Sequence, residues 1–293
     1  MDNNKFSRRT FIRNTSLLAA GAVTASMVHK AEAGTSSEIE TIVKNGRINQ
    51  SVSRWCYNNI ELDKFCADIK KMGLKGIDLM RPNDFPTIKK YGLVCTMVET
   101  HDLSRGLADK NNHERCIAQI REAIDAASEH GFPNVISFPG NRGRVSDEEG
   151  VANSITALKE VAGQAEEKKV TICLEYLNSK VDHRGYMFDN MKWGVDVCKG
   201  VGSERVKILY DIYHAQIMEG DIIRTIRDNS QYIGHYHTGG NPGRNDIDET
   251  QEIYYPAIMK TIAETGFKGY VAHEFIPKNE MKSLARAVEI CDI

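Results

Sequence analysis

Two patterns of hydrophobic residues alternate along the chain from about residue 47 onward. Short apolar runs rich in β-branched residues, such as VTICLE, are typical of buried strands, and longer stretches with apolar residues every three or four positions are typical of helices. The predicted strands are Ile48 to Ser53, Gly76 to Leu79, Val94 to Glu99, Asn134 to Phe138, Val170 to Glu175, Val206 to Asp211, Tyr232 to His237 and Tyr270 to Glu274. The predicted helices are Leu62 to Met72, His113 to His130, Asp147 to Lys168, Phe188 to Lys199, Ile222 to Asp228, Tyr255 to Thr265 and Glu280 to Cys291.

This alternation predicts a parallel sheet covered by helices. Eight strand and helix units close most naturally into a (β/α)8 TIM barrel. The alternative is an open, doubly wound sheet, which needs a glycine-rich phosphate turn after its first strand, and the sequence contains no G-x-G-x-x-G. We therefore predict a single TIM-barrel domain over residues 34–293.

The first 33 residues carry a different pattern. Arg8 and Arg9 precede a mildly apolar stretch from Ser16 to Val28, and the small-x-small sequence Ala31-Glu32-Ala33 follows. This order resembles a twin-arginine export signal, so we predict a cleaved signal peptide, a mature chain starting near Gly34 and a periplasmic location. A cytoplasmic amphipathic tail is the alternative. The apolar stretch is too short for a stable membrane anchor.

Composition and charge narrow the class of partner. The chain has 41% hydrophobic and 27% charged residues, as expected of a soluble globular protein. Its net charge is −2, and because residues 1–33 hold five of the 38 basic and two of the 40 acidic residues, the remainder carries −5. An acidic chain is a poor nucleic-acid binder, so a small molecule is the expected partner, and a homo-oligomer stays possible. The seven cysteines show no C-x-x-C spacing, which argues against a disulfide framework or a zinc knuckle.

The last four predicted strands end in residues that bind metals. The strand-final residues are Glu175, Asp211, His237 and Glu274. In a barrel the carboxyl ends of all strands meet at one mouth, so these side chains become neighbours there. Each could instead cap a helix or pair with a lysine. Three clustered carboxylates would repel one another unless a cation neutralised them, so we predict one divalent ion: Mn²⁺, Mg²⁺, Co²⁺ or Zn²⁺.

Two further histidines, His235 and His273, lie on the last two predicted strands. His235 and His237 alternate along the seventh strand, so both face the same side, with His237 nearer the mouth. We expect His235 to be a deeper, packed residue and His273 to point outward toward the helices in a structural role.

Four segments resemble the strand motifs of the xylose-isomerase-like barrel superfamily, and within it the hydroxypyruvate isomerase and ketose 3-epimerase group. The segments are ICLEYLN, LYDIYHAQIMEGD, IGHYHTGGNPGR and GYVAHEFIP, and the likeness is strong from Val170 to Pro277. The resemblance implies that the metal ligands are Glu175, Asp211, His237 and Glu274. It implies that both glutamates also exchange protons with substrate, and that His214 and Arg244 contact substrate oxygens.

The chain departs from this group at two positions. Hydroxypyruvate isomerases often carry Gln in place of His237, so the histidine favours an epimerase-type metal site. Ketose epimerases place a second glutamate where this chain has Val181, and the nearest replacements are Asp182 and His183. We add His183 and His101, which follow the fifth and third strands, as candidates for substrate contact, with capping or surface roles as the alternative.

These observations predict a metal-dependent isomerase or epimerase that acts on a small hydroxy-carbonyl compound or sugar by proton transfer through an enediolate. A lyase or dehydratase on an oxidised sugar would share the first proton abstraction. An endonuclease-like phosphodiesterase would need two or three metals and a basic groove, against which the net charge argues. A non-catalytic, exported sugar-binding barrel would be expected to lack Glu175 or Glu274.

Overall fold

Eight parallel strands close into a barrel in sequence order in the computed structural model, which describes residues 41–293. The strands are β1 (Asn49–Ser53), β2 (Gly76–Met80), β3 (Val94–Val98), β4 (Asn134–Ser137), β5 (Thr171–Glu175), β6 (Val206–Asp211), β7 (Ile233–Thr238) and β8 (Tyr270–His273). β1 pairs with both β2 and β8, which closes the barrel. The predicted TIM barrel is confirmed.

The helices lie between and after the strands. Their bounds are α1 (Leu62–Met72), α2 (Phe85–Lys90), α3 (His113–His130), α4 (Asp147–Lys168), α5 (Met191–Val201), α6 (Ile212–Met218), α7 (Ile222–Asn229), α8 (Tyr255–Glu264) and α9 (Glu280–Cys291). The predicted helix from Phe188 to Lys199 corresponds to α5 but begins too early. The Asn190 side chain caps α5 by accepting the backbone N–H of Trp193, so the helix starts after it. The prediction omits the two shortest helices, α2 and α6.

The strands are buried on both faces, as expected of a parallel sheet covered by helices. Cys95 and Cys173 are buried within β3 and β5 and act as small apolar residues there. All seven cysteines are free thiols. The core therefore fills both the barrel interior and the layer between the barrel and its helices.

The predicted export signal, with Arg8, Arg9 and the small residues before Gly34, lies outside the described residues. Among residues 41–293, no helix is long and apolar enough to cross a membrane.

Candidate metal centre

Four side chains meet at the carboxyl ends of the last four strands, and each is buried. They are Glu175, Asp211, His237 and Glu274. One potential ligand atom from each lies within 4.8 Å of the others. Glu175 and Asp211 end β5 and β6, whereas β7 continues one residue beyond His237 and Glu274 lies one residue beyond β8. Glu274 still extends the strand direction, because its N–H donates to Thr238 O at 2.9 Å.

His237 lies at the centre of the group. Its Nδ1 is 2.7 Å from Glu274 Oε2, 3.3 Å from Glu175 Oε1 and 4.0 Å from Asp211 Oδ2. This nitrogen makes no hydrogen bond to any described residue. On the other side of the ring, Nε2 lies 3.1 Å from Asp78 Oδ2. A carboxylate that orients a histidine while the second ring nitrogen faces acidic oxygens is the usual surrounding of a metal-binding histidine.

Asp78 lies inside β2 and is missing from the sequence prediction. Its Oδ1 accepts hydrogen bonds from the hydroxyls of Ser51 and Thr96, and its Oδ2 lies 2.6 Å from His235 Nε2 as well as beside His237. Burial alone would raise the pKa of Asp78, but the two histidines outweigh it and hold the pKa below its usual range. Asp78 is therefore an ionised acceptor, and His237 presents an N–H to it. His235 lies deeper than His237, as the strand alternation predicts.

The four clustered residues have displaced pKa values. Burial raises the pKa of Asp211 to about 7 and also raises that of Glu175. Burial would do the same to Glu274, but His237 and Arg244 hold its pKa well below its usual value. Burial would lower the pKa of His237, but Glu274, Asp78 and Glu175 raise it well above the ordinary value. The imidazole and the guanidinium thus offset the clustered carboxylates, and a bound cation would do the same.

Arg244 contacts two members of the cluster. Its Nη2 lies 2.5 Å from Glu274 Oε2 and 3.3 Å from Asp211 Oδ2. The guanidinium lies over the rings of Trp55 and Tyr213, with centroids at 5.3 and 5.7 Å. The resemblance implies that Arg244 contacts substrate oxygens, and the structure places its guanidinium against two carboxylates of the cluster.

Trp55 contacts the cluster but is not among the site residues that the sequence predicts. It follows β1, is 38% exposed and donates its indole N–H to Glu274 Oε1 at 2.5 Å. One oxygen of Glu274 is therefore held by Trp55, and the other faces His237 and Arg244.

His214 lies one turn after Asp211, because the Asp211 side chain caps α6 and accepts the backbone N–H of His214 at 3.1 Å. The His214 ring is buried, and its Nε2 lies 3.6 Å from Asp211 Oδ2 without a hydrogen bond to any described residue. Burial, followed by Arg244, lowers the pKa of His214 well below its ordinary value, so the ring is neutral near pH 7.

His183 joins this group, with its ring centroid 5.3 Å from that of His214. Burial and Arg244 lower the pKa of His183, and its Nε2 is likewise buried with no hydrogen bond to residues 41–293. The side chain of Asp182 accepts hydrogen bonds from Asn178 and Tyr213 at 2.7 and 2.8 Å. Val181 is 63% exposed. Both bonds to Asp182 fall on its Oδ2, and His183 Nε2 is the buried nitrogen that faces no partner among residues 41–293, so both replacements for the absent glutamate stay candidates.

His101 and His273 are held by other contacts. His101 is buried between the ends of β3 and β4, where its Nε2 lies 3.1 Å from Ser137 Oγ, and burial lowers its pKa to about 4. None of its hydrogen bonds within the described chain involves the four clustered residues. His273 points away from the barrel interior, toward Gln50, which itself contacts α9.

Residues 66–291 match the family described as xylose isomerase-like TIM barrel, so the chain belongs to that family. The resemblance in the strand motifs is confirmed. A 2-oxo-tetronate isomerase from Cupriavidus necator is 32% identical over 117 residues, which cover 40% of this chain and 44% of that protein. The hydroxypyruvate isomerase of Escherichia coli is 27% identical over 221 residues, which cover 70% of this chain and 84% of that protein. The match to the first relative thus spans less than half of its length.

A solved structure described as an AP endonuclease of family 2, from Brucella melitensis, superposes with a TM-score of 0.73. The superposition covers 80% of this chain and 96% of that one, at 21% sequence identity. At this identity the likeness shows the shared barrel fold and carries no statement about activity.

Proposed function

We propose that the protein is a divalent-metal-dependent isomerase or epimerase of a small hydroxy-carbonyl compound or sugar. The observation that carries this proposal is the buried cluster in which four potential ligand atoms lie within 4.8 Å of one another. Its histidine has one nitrogen held by Asp78 and the other facing three carboxylates. The two relatives named for isomerisation of small oxo acids support the same class of reaction.

The residues present suit a hard or borderline cation such as Mn²⁺, Mg²⁺, Co²⁺ or Zn²⁺, because they offer three carboxylates and one imidazole. We assign the ion to Glu175, Asp211, His237 Nδ1 and Glu274. When bound, such an ion would act as a Lewis acid toward a carbonyl oxygen and its neighbouring hydroxyl.

Glu175 and Glu274 are the proposed proton carriers. Their surroundings push their pKa values apart, since burial raises that of Glu175 while His237 and Arg244 hold that of Glu274 low. In the proposed reaction one glutamate takes a carbon-bound proton to form an enediolate, and one returns a proton to the adjacent carbon or to the opposite face. A lyase or dehydratase would share the first transfer and differ only in the fate of the enediolate.

Other polar groups around the cluster suit an oxygen-rich substrate. The nitrogens His214 Nε2, His183 Nε2 and Arg244 Nε are buried and make no hydrogen bonds to the described residues. Buried polar atoms normally have partners, so these three are candidates to bind substrate oxygens. Residues 41–293 hold a second group of potential metal ligands, which consists of Asp78, His235 and His237. Because both groups include His237, the arrangement favours one ion over the two or three of a phosphodiesterase.

Incubation in D₂O tests the proposed chemistry. We expect the Mn²⁺-loaded protein to isomerise hydroxypyruvate or a ketose such as D-fructose, with deuterium from solvent entering the carbon skeleton of recovered substrate or product. NMR and mass spectrometry would locate the label, and chelator-treated protein gives the background exchange. Where the glutamate proton exchanges with solvent faster than it returns to carbon, turnover with no deuterium uptake would indicate a hydride shift and contradict the proton carriers.

A further inference from the structure

Asn178, in the loop after β5, is a fully buried residue whose amide has one possible orientation. Its Oδ1 accepts the backbone N–H groups of Val181 and Asp182, both at 2.9 Å. A backbone N–H can only donate, so the atom that faces these two groups must be the oxygen. The other atom of the amide, Nδ2, is therefore an NH₂ group and can only donate.

This NH₂ group faces two acceptors. It lies 2.7 Å from Asp182 Oδ2 and 2.6 Å from His214 Nδ1. Since the amide donates, His214 Nδ1 must carry a lone pair, and the one proton of the neutral ring must be on Nε2. That nitrogen is the buried one which has no partner in the part of the chain that the structure describes, 3.6 Å from Asp211 Oδ2.

We infer that Asn178 is a positioning residue that fixes His214 as the Nε2–H tautomer, so that the pocket beside the metal cluster presents a hydrogen-bond donor to the substrate. The inference rests on the proposed function for its substrate. It specifies that the substrate group bound by His214 is a hydrogen-bond acceptor, namely a carbonyl, carboxylate or hydroxyl oxygen.

His237 makes a useful comparison, because it also carries its proton on Nε2 when neutral. There the N–H is held by Asp78 and the bare Nδ1 faces the carboxylates, which suits a cation. In His214 the bare nitrogen is held by Asn178 and the N–H is left for the pocket. With the same tautomer, His237 thus presents a bare nitrogen to the ion, whereas His214 presents an N–H donor to the substrate.

Asn178→Asp tests the inference with a change of one group. An aspartate keeps the oxygen that accepts from Val181 and Asp182 N–H but replaces the donor to His214 with an acceptor. Because the new carboxylate would also face Asp182, the companion variant combines Asn178→Asp with Asp182→Asn, which restores a donor between the two side chains. Repulsion in the loop is relieved in the companion variant, while the acceptor at His214 remains.

The direct measurement is ¹⁵N NMR of protein labelled at histidine and loaded with Mg²⁺, in which N–H and bare ring nitrogens have distinct shifts; His214→Gln assigns the signals. We expect a bare Nδ1 and an Nε2–H in the wild type, and a protonated Nδ1 in both variants. A wild-type ring with its proton on Nδ1 would overturn the inference. Because this measurement needs no substrate, it tests the tautomer of His214 independently of the proposed function.

Kinetics with hydroxypyruvate supply the second readout. Loss of the donor should lower kcat/KM by about 10- to 100-fold in Asn178→Asp, the range for leaving a buried hydrogen-bonding group unpaired. The companion variant should show the same loss. Recovery of wild-type kcat/KM in the companion variant would show that loop repulsion alone caused the defect, and would overturn the role of Asn178 in orienting His214.

Discussion

At the scale of single residues, the candidate site depends on how each polar atom is shared among neighbours. Glu274 illustrates this, because Trp55 holds one carboxylate oxygen while His237 and Arg244 face the other. The same residue is assigned both to the ion and to proton transfer. Substitutions that change one atom at a time can separate these two roles.

Replacement of Glu274 by Gln keeps an oxygen near the ion but removes the base. We expect the variant to retain some bound metal and to lose at least about 100-fold in rate, the lower end for a general base. Glu99→Gln is the matched control, because Glu99 follows β3 and pairs with Arg81 instead. Near-normal turnover in metal-loaded Glu274→Gln would mean that Glu274 is not the base and that Glu175 carries the proton.

Asp78 acts through His237, so its replacement should change the affinity for the ion. Asp78→Asn removes the carboxylate that holds His237 Nε2, and we expect divalent-ion affinity to fall by about 10- to 100-fold. Calorimetric titration with Mn²⁺ measures the change, with Asp196→Asn on the exposed face of α5 as the control. An unchanged Kd in a folded Asp78→Asn protein would exclude this orienting role.

At the scale of helices and strands, local signals explain most of what the sequence predicts. The bounds of α1, α3, α4 and α9 agree with the prediction because their apolar periodicity is long, and side-chain caps or glycines also mark ends of the first three. α2 and α6 have only six and seven residues, too few to show a helical period. α6 also begins directly after β6, so its residues extend an apolar run that indicates a strand.

Close packing between strands leads to a prediction at β2. A Cβ added at Gly76 would lie 2.3 Å from Val94 O and 2.5 Å from Thr96 Cγ2, so Gly76→Ala should lower the free energy of unfolding by about 1–3 kcal/mol. Gly163 is an exposed position in α4 with no atom within 4 Å of such a Cβ. Gly163→Ala should therefore stabilise the protein by about 0.5–1 kcal/mol. Urea unfolding of both variants checks the signs, and equal effects would contradict this packing.

At the scale of the whole molecule, barrel closure is what makes the site predictable from sequence. Strand ends far apart in the chain must meet at one mouth, so the four clustered residues follow from the strand assignments alone. The strand assignments do not predict the roles of Asp78, Trp55 and Asn178. Nothing in the sequence shows where the side chain of an acid inside an apolar strand, a tryptophan just after a strand or an amide in a loop points. Their roles depend on contacts between residues 36 to 219 positions apart, such as those of Asn178 with His214 and of Trp55 with Glu274. The proposed export through Arg8 and Arg9 stays a prediction.

Removal of the ion tests the central claim most directly. A ligand that binds only the native state stabilises it by mass action, by about 2.7 kcal/mol when its free concentration is 100 times Kd. We therefore expect chelation to abolish turnover of hydroxypyruvate or the ketose and to lower the melting temperature. Titration with Mn²⁺ should restore both, with saturation at one ion per chain, and Asp211→Asn should weaken the recovery. Chelated protein that elemental analysis shows to be free of metal, yet which keeps its full activity and melting temperature, would contradict the account.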